Sequence, residues 1–86
     1  MSKIYLPSRL RTATQNQAWV DVHADTIHEL LHNLTQTFPA LIPFIFQDGN
    51  LNTYTRVFVN NKEVRDLSQT ITPTDEIHLI QAMAGG

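Results

Sequence analysis

Residues 25–38 read DTIHELLHNLTQTF and predict the main helix of the chain. Apolar side chains recur every third or fourth position, which places them in one stripe along a single side of a helix. Thr26 followed three residues later by Glu29 matches a capping box at the start of the helix, and Asp25 is an alternative N-cap. Pro39 ends the helix because proline disfavours helical conformation in the residue before it. The stripe that we expect to be buried comprises Ile27, Leu30, Leu31, Leu34 and Phe38.

The segments before this helix predict two neighbouring strands that form a hairpin. Residues 3–10 place Ile4 and Leu6 on one side of a first strand, and Pro7, which cannot donate to a ladder, indicates an edge position or the end of that strand. Residues 13–16 are polar and are interpreted as the turn, and residues 17–23 then alternate as expected for a second strand. One face of the second strand carries Ala18, Val20 and Val22, and the other carries Trp19, Asp21 and His23.

The segment that follows the helix predicts a short helical turn and then a strand. Residues 40–54 crowd apolar side chains together, which indicates a helical turn packed at the edge of a sheet, and Asp48 with Gly49 closes it by turn chemistry. Residues 54–60 are rich in β-branched and aromatic residues, as is typical of a strand.

The last third of the chain predicts two further strands. Asn60 and Asn61 suit a tight turn because asparagine tolerates positive φ, so residues 62–64 return as a short strand. Residues 72–75 form another turn, and residues 76–82 form the final strand. In that strand Ile77 and Leu79 share one face, and His78 and Ile80 share the other.

This order of elements predicts an α+β fold. A hairpin, a crossover helix and returning strands are expected to give a mixed sheet of four to five strands, with the one main helix packed across one face. The 86 residues suffice for a single domain, so we expect residues 1–86 to form one domain with a flexible C-terminal tail at residues 82–86.

Composition excludes several classes of function. The chain has no cysteine, so disulfides, thiolate metal sites and cysteine nucleophiles are absent. A net charge of -2 gives no broad attraction to nucleic acid or to anionic membranes, and neither is expected as a partner. The start MSKIYLPSRL lacks the long apolar region of a signal peptide, and no apolar run is long enough to span a bilayer. We therefore expect a cytoplasmic protein.

No arrangement of side chains predicts a catalytic or metal site. The three glycines cannot supply a phosphate-binding loop, and none of the serines lies in a nucleophile-elbow motif. His28 and His32 are four apart on a helix, so both could reach one metal, but no third ligand completes the motif. They are interpreted as solvated helix histidines, and no metal is expected. Trp19 and Tyr54 are interpreted as packing residues of a sheet or an interface.

The informative feature is the glycine pair Gly85–Gly86 at the end of the sequence, directly after the last strand. Glycine stabilises nothing at a terminus, but a segment without Cβ atoms can enter a narrow channel. A terminal carboxylate is an anion at neutral pH and a poor electrophile, so it needs activation, which ATP-dependent adenylation would provide. A sulfur nucleophile would then give a thiocarboxylate, and an amine would give an amide.

Two segments make the chain similar to a known family. They are FVNNKEVR at residues 58–65 and TDEIHLI at residues 74–80, the latter followed by Ala84-Gly85-Gly86. The chain resembles the ThiS/MoaD group of ubiquitin-like sulfur carriers along nearly its whole length. Within that group it is most similar to the carriers of a thiocarboxylate-dependent cysteine synthase. Where members commonly have a glycine-aspartate turn before the last strand, this chain has Thr74-Asp75-Glu76.

The resemblance implies a β-grasp fold and a role as a protein co-substrate rather than an enzyme. Gly86 would carry the adenylate and then the thiocarboxylate, while Gly85, Ala84 and Met83 would give the tail access to partner active sites. An E1-like adenylyltransferase would load it with ATP, a cysteine synthase-like enzyme would accept the sulfur, and the chain itself would bind no cofactor. Partner docking is expected on the apolar residues of an exposed sheet face. The candidates are Phe58, His78 and Ile80.

Several alternatives stay open at the level of sequence. Phe58 and Ile80 would instead be core residues if they lay under the helix, since a one-residue change of register exchanges the two faces. The chain would serve as the small subunit of molybdopterin synthase by the same thiocarboxylate chemistry, or as a protein modifier through an isopeptide bond from Gly86 to lysine. It would also suit a non-covalent interaction module in which the two glycines are incidental.

Overall fold

The computed structural model describes residues 1–81 of the 86-residue chain. The predicted tail at residues 82–86 lies outside the described residues. The strands are β1 (Ser2–Tyr5), β2 (Trp19–Val22), β3 (Phe46–Gln47), β4 (Asn50–Leu51), β5 (Thr55–Val59), β6 (Lys62–Val64) and β7 (Glu76–Gln81). The α-helices are α1 (Ile27–Thr37) and α2 (Ile42–Ile45), and two 3-10 helices cover Ser8–Thr14 and Pro39–Leu41.

Five of the strands form one mixed sheet in the order β2-β1-β7-β5-β6. The first strand runs parallel to the last, with Tyr5 opposite His78, while the other neighbours are antiparallel. The antiparallel pair of β1 and β2 confirms the predicted hairpin. The mixed five-stranded sheet and its single long helix confirm the predicted fold class. The last strand, β7, therefore lies at the centre of the sheet.

The helix α1 begins at the predicted capping box. The Glu29 N–H donates to Thr26 Oγ1 at 3.2 Å, and the Asp25 N–H donates to Glu29 Oε1 at 3.0 Å. Thr26 is thus the N-cap, and Asp25 precedes it. The predicted stripe is buried except at Phe38, which forms the partly buried C-cap.

One apolar core lies between α1 and the sheet. Buried residues from the helix and from alternate positions of the strands form a single cluster, which removes their surfaces from water and stabilises the domain. The largest side chains that are fully buried are Ile4, Leu6, Leu10, Ile27, Leu30, Leu31, Leu34, Leu41, Ile45, Val57, Ile77 and Leu79.

The first strand ends at Tyr5 and does not extend to Leu10, which agrees with the interpretation of Pro7 as the end of the strand. Pro7 has no N–H to donate to a ladder, and the chain leaves the sheet there to form the 3-10 helix Ser8–Thr14. This helix buries Leu10, so the connection inside the hairpin is a packed element rather than a short polar turn. The predicted turn residues Gln15 and Asn16 have φ values of 56° and 65° and reverse the chain behind the helix.

The predicted helical turn in the middle of the chain is confirmed and is α2. A small antiparallel pair of β3 and β4 follows it, which the sequence did not predict. Asp48 and Gly49 connect the two strands with φ values of 53° and 81°, a backbone conformation that glycine adopts without strain. Phe44 O accepts hydrogen bonds from the Thr55 hydroxyl and from Gln81 Nε2, so this segment is attached to β5 and to the end of β7.

Within residues 1–81, no helix is both long enough and apolar enough to cross a lipid bilayer.

Candidate functional site

The candidate site begins with the two faces of the central strands. Val57 and Leu79 point into the core and are fully buried. Phe58 on β5 and His78 and Ile80 on β7 occupy the alternate positions of these strands and point away from α1. The side chain of Ile80 is 47% exposed. The structure thus brings all three predicted docking residues to the open face of the sheet, and the alternative that Phe58 and Ile80 form the core is wrong.

Four aromatic residues take adjacent register positions on the open face, which we call the aromatic row, and the rings of three of them pack together in a triangle. Strand pairing places Trp19 opposite Tyr5, Tyr5 opposite His78, and His78 opposite Phe58. The ring centroids of Tyr5 lie 5.1 Å from Trp19 and 5.3 Å from His78 in edge-to-face geometry, and those of Trp19 and His78 lie 5.5 Å apart. Such pairs stabilise one another by about 0.5–1.5 kcal/mol beyond their burial, so this aromatic row is a preformed surface.

The 3-10 helix that the sequence did not predict fixes Tyr5, the residue of the aromatic row that pairs with both Trp19 and His78. Arg11 Nη2 donates to the Tyr5 hydroxyl at 2.7 Å, and Arg11 Nε donates to Leu6 O at 3.1 Å. The Arg11 guanidinium carbon also lies 5.3 Å from the centroid of the Tyr5 ring. Tyr5 was missed as a site residue at the level of sequence. The available signal was alternation: Ile4 and Leu6 were assigned to the core side of the strand, so Tyr5 between them had to lie on the opposite side.

A polar clasp fixes the start of β7 at the other end of the sheet. Asp75 Oδ2 accepts from the Thr72 N–H at 2.8 Å, and Asp75 Oδ1 accepts from Asn60 Nδ2 at 2.9 Å. Asn60 Oδ1 in turn accepts from the Glu76 N–H at 3.0 Å. The hydrogen bond from the Thr72 backbone, followed by that from Asn60, lowers the pKa of the Asp75 carboxyl. The clasp is thus made by Asp75, the aspartate of the predicted turn, together with Asn60.

The last described residue, Gln81, lies where the sheet passes into the predicted tail. Gln81 Nε2 donates to Phe44 O at 3.3 Å, and Gln81 Oε1 is buried without a hydrogen-bond partner among residues 1–81. The predicted tail residues Met83, Ala84, Gly85 and Gly86 lie outside the described part.

Other candidate side chains do not form a site in the described part of the chain. His28 and His32 are exposed on α1, and no group of three or more potential metal ligands occurs in residues 1–81. Asp66, whose pKa is lowered by hydrogen bonds from the Ser68 hydroxyl and N–H, lies in a turn remote from the aromatic row. The described residues thus bring together an aromatic and apolar group on the open face of the sheet.

Comparison with solved structures defines the class of protein as β-grasp, or ubiquitin-like. A chain of the Amycolatopsis orientalis BexX/CysO complex superimposes with a TM-score of 0.90 at 22% identity, and 100% of each chain is covered. The small archaeal modifier protein 1 of Haloferax volcanii superimposes with a TM-score of 0.82 at 27% identity, over 99% of this chain and 98% of the other.

The family follows from the sequence comparison. The ThiS family matches residues 4–86, and the chain belongs to this family of small sulfur carrier proteins. A relative from Archaeoglobus fulgidus named "Putative sulfur carrier protein" is 28% identical over 88 residues, which cover 98% of this chain and 97% of the relative. The predicted resemblance is confirmed at the level of family and fold.

Proposed function

We propose that this chain carries sulfur as a thiocarboxylate on Gly86 and donates it in the biosynthesis of cysteine or a related thiol metabolite. The observation that carries the proposal is the position of β7. This strand is central in the sheet, displays His78 and Ile80 on the open face, and leads directly through Gln81 into the segment AMAGG. A partner that covers the open face is therefore in place to receive the tail.

The loading chemistry requires two steps on the carboxylate of Gly86. An E1-like adenylyltransferase joins the carboxylate to the AMP part of ATP and releases pyrophosphate. Hydrosulfide then attacks the acyl carbon, AMP leaves, and a proton is lost, so that the carboxylate has become a thiocarboxylate. ATP belongs to the partner enzyme in this scheme, and the carrier needs no cofactor of its own.

The delivery step requires a second partner that accepts the sulfur. We propose an enzyme similar to cysteine synthase, and the likeness to a chain that was crystallised in the BexX/CysO complex fits a carrier that binds a protein partner. Phe58, His78 and Ile80 would contact each partner in turn. Met83 and Ala84 would line the entrance to its active site, and Gly85 would keep the segment before Gly86 thin enough to enter.

Intact mass spectrometry tests the proposal. The purified chain is incubated with ATP, a sulfide source and an adenylyltransferase encoded in the same genome. We expect a gain equal to the mass difference between one sulfur and one oxygen atom, located on Gly86 by fragmentation. A reaction without ATP is the control and should leave the mass unchanged. An unchanged mass in the complete reaction, with an enzyme that adenylates another carrier, would contradict the proposal.

A second candidate function is that of a protein modifier. The 27% identity to the small archaeal modifier protein 1 of Haloferax volcanii favours it, because the same adenylate would react with a lysine amine instead of sulfide. Expression of the tagged chain in its host, followed by denaturing electrophoresis, distinguishes the two. Covalent adducts of high mass that survive reducing agents would support a modifier, and their absence alongside a detected thiocarboxylate would support the carrier alone.

A further inference from the structure

Trp19 is the most exposed residue of the aromatic row, although its ring packs against two others. It is 43% exposed, whereas the other three residues of the row are partly buried. It is also the only tryptophan of the chain. The sequence favours a packing role for Trp19, and the proposed function assigns it none.

The ring of Trp19 reaches the centre of the sheet, although its strand lies at the outside. Trp19 is on β2, and β1 separates β2 from β7, the strand that carries His78. Neighbouring strands lie about 4.8 Å apart, so the backbones of β2 and β7 are about 10 Å apart. The ring centroids of Trp19 and His78 are only 5.5 Å apart. The two side chains therefore lean towards each other over β1, and the indole belongs to the centre of the open face.

Contacts within the chain hold the indole in this position. The Trp19 ring lies 5.1 Å from the Tyr5 ring, and the Tyr5 hydroxyl accepts from Arg11 Nη2 at 2.7 Å. Arg11 is fixed in turn, because its Nε donates to Leu6 O at 3.1 Å. A side chain that is already ordered loses little conformational freedom when a partner covers it, so more of its contact surface contributes to affinity.

We propose that Trp19 is the anchor by which this chain docks on the enzyme that takes up its tail, and that Arg11 and Tyr5 are positioning residues for the indole. A partner that covers His78 also reaches Trp19, because the two rings are neighbours. Tryptophan is enriched among the interface residues that contribute most to binding. The proposal rests on the proposed function for the identity of the partner.

The indole of Trp19 defines the chemistry of the partner surface. Its ring is apolar, and its one polar group, Nε1–H, donates a hydrogen bond but cannot accept one. A buried indole N–H usually has a hydrogen-bond partner. The surface that receives Trp19 is therefore an apolar pocket with a carbonyl or carboxylate oxygen in its wall, beside the entrance for the tail.

Fluorine NMR tests the docking without reference to sulfur transfer. The full chain is produced with 5-fluorotryptophan, so that its single tryptophan gives one resonance. It is titrated, without ATP, with the adenylyltransferase encoded in the same genome. We expect the resonance to shift and to lose its difference between H₂O and D₂O, because the ring leaves the solvent. A resonance that keeps both its position and its solvent shift at saturating enzyme would overturn the proposal.

Affinity measurements test how much Trp19 contributes. Trp19→Ala should raise Kd at least about 30-fold with kcat for loading unchanged, as for a residue that dominates an interface. Trp19→Phe keeps a ring without the N–H and should stay within about fivefold of wild type. Ile42→Ala is the control and should leave Kd unchanged, because Ile42 is 46% exposed but lies on α2. Equal Kd values for wild type and Trp19→Ala would refute the anchor. If Trp19→Ala does not fold, Trp19→Phe and the fluorine titration decide.

Arg11→Ala tests the positioning of the ring. Loss of the hydrogen bond to Tyr5 should raise Kd about fivefold with kcat unchanged, and should shift the fluorine resonance of the free chain. Arg9→Ala is the matched control, since it removes an exposed arginine of the same 3-10 helix and should alter neither quantity. If Arg11→Ala leaves both the resonance and Kd at their wild-type values, Arg11 does not position the indole.

The outcomes separate this proposal from the function on which it rests. If the enzyme does not load the chain but the fluorine resonance responds as expected, the proposed function fails and the anchor stands. If the enzyme loads the chain while the resonance and the Kd of Trp19→Ala stay unchanged, the function stands and the anchor fails. If neither loading nor a fluorine response is found, both are refuted.

Discussion

The two faces of β7 differ in what they contribute to the molecule. Ile77 and Leu79 are fully buried under α1, whereas His78 and Ile80, one residue along, lie on the open face of the same strand. Side chains of a strand alternate between faces, so a single strand can hold the domain together and recognise a partner at once. The comparison teaches that substitutions at adjacent positions can separate the stability of the domain from the partner recognition that we propose for the open face.

The largest expected effect on function comes from Gly86, which belongs to neither face of β7 because it follows the strand in sequence. Deletion of Gly86 should abolish thiocarboxylate formation, because the acyl group that accepts AMP would be displaced by one residue from the partner's active site. The melting temperature should stay the same, since the core is built from residues that precede Gln81. Intact mass and thermal unfolding measure the two quantities. A drop of several degrees would show that residues 82–86 are structural.

The largest expected effect on stability comes from the buried face. Leu79→Ala should lower the free energy of unfolding by about 2–5 kcal/mol, because it removes buried methyl groups and leaves a cavity at the centre of the sheet. His78→Ala, one residue away on the open face, is the matched control and should cost much less. Urea denaturation measures both variants. Equal losses would refute the division of β7 into a core face and a recognition face.

A smaller effect is expected from a charge on the open face. Ile80→Asp should raise KM for loading about tenfold, since it places a charge in an apolar contact, but should change stability by no more than about 0.5 kcal/mol. Ile42→Asp is the control, because Ile42 is 46% exposed, similar to Ile80, but lies on α2 outside the open face. Steady-state loading and urea denaturation distinguish the variants; a KM that rises equally in both would argue against docking on the open face.

The smallest effect is expected at the polar clasp. The pKa of Asp75 is lowered from its usual 3.8, so the ionised form stabilises the folded state at neutral pH. Asp75→Asn should therefore cost less than about 1 kcal/mol above pH 3.8, as for an exposed interaction. As the pH falls below 3.8, the wild-type carboxylate is protonated and the difference should shrink. A difference that stays constant down to pH 2 would contradict this account.

Much of the fold could be predicted because its signals are local. The apolar stripe of α1, its capping box and the turn at Asn60 and Asn61 each depend on a few neighbouring residues, and all were confirmed. The alternation along β5 and β7 was also visible, and the register against α1 then decided which face was open.

The rest depended on contacts between distant segments. Nothing local shows that Leu10 is buried by a 3-10 helix, since an isolated Leu after a proline is equally typical of a strand. The aromatic row is likewise invisible in sequence, because it requires β7 to insert beside β1 and bring His78 next to Tyr5.

The central place of β7 also has a consequence for synthesis in the cell. Because β7 separates β1 from β5, a ribosome must finish almost the whole chain before the middle of the sheet can close. Pairing between the first and the last strand has the greatest loop-closure cost, so it is expected late in folding. A nascent or truncated carrier without β7 would lack Ile77 and Leu79 and could not fold. Completion of the core therefore reports that synthesis has passed β7 and has come within five residues of Gly86.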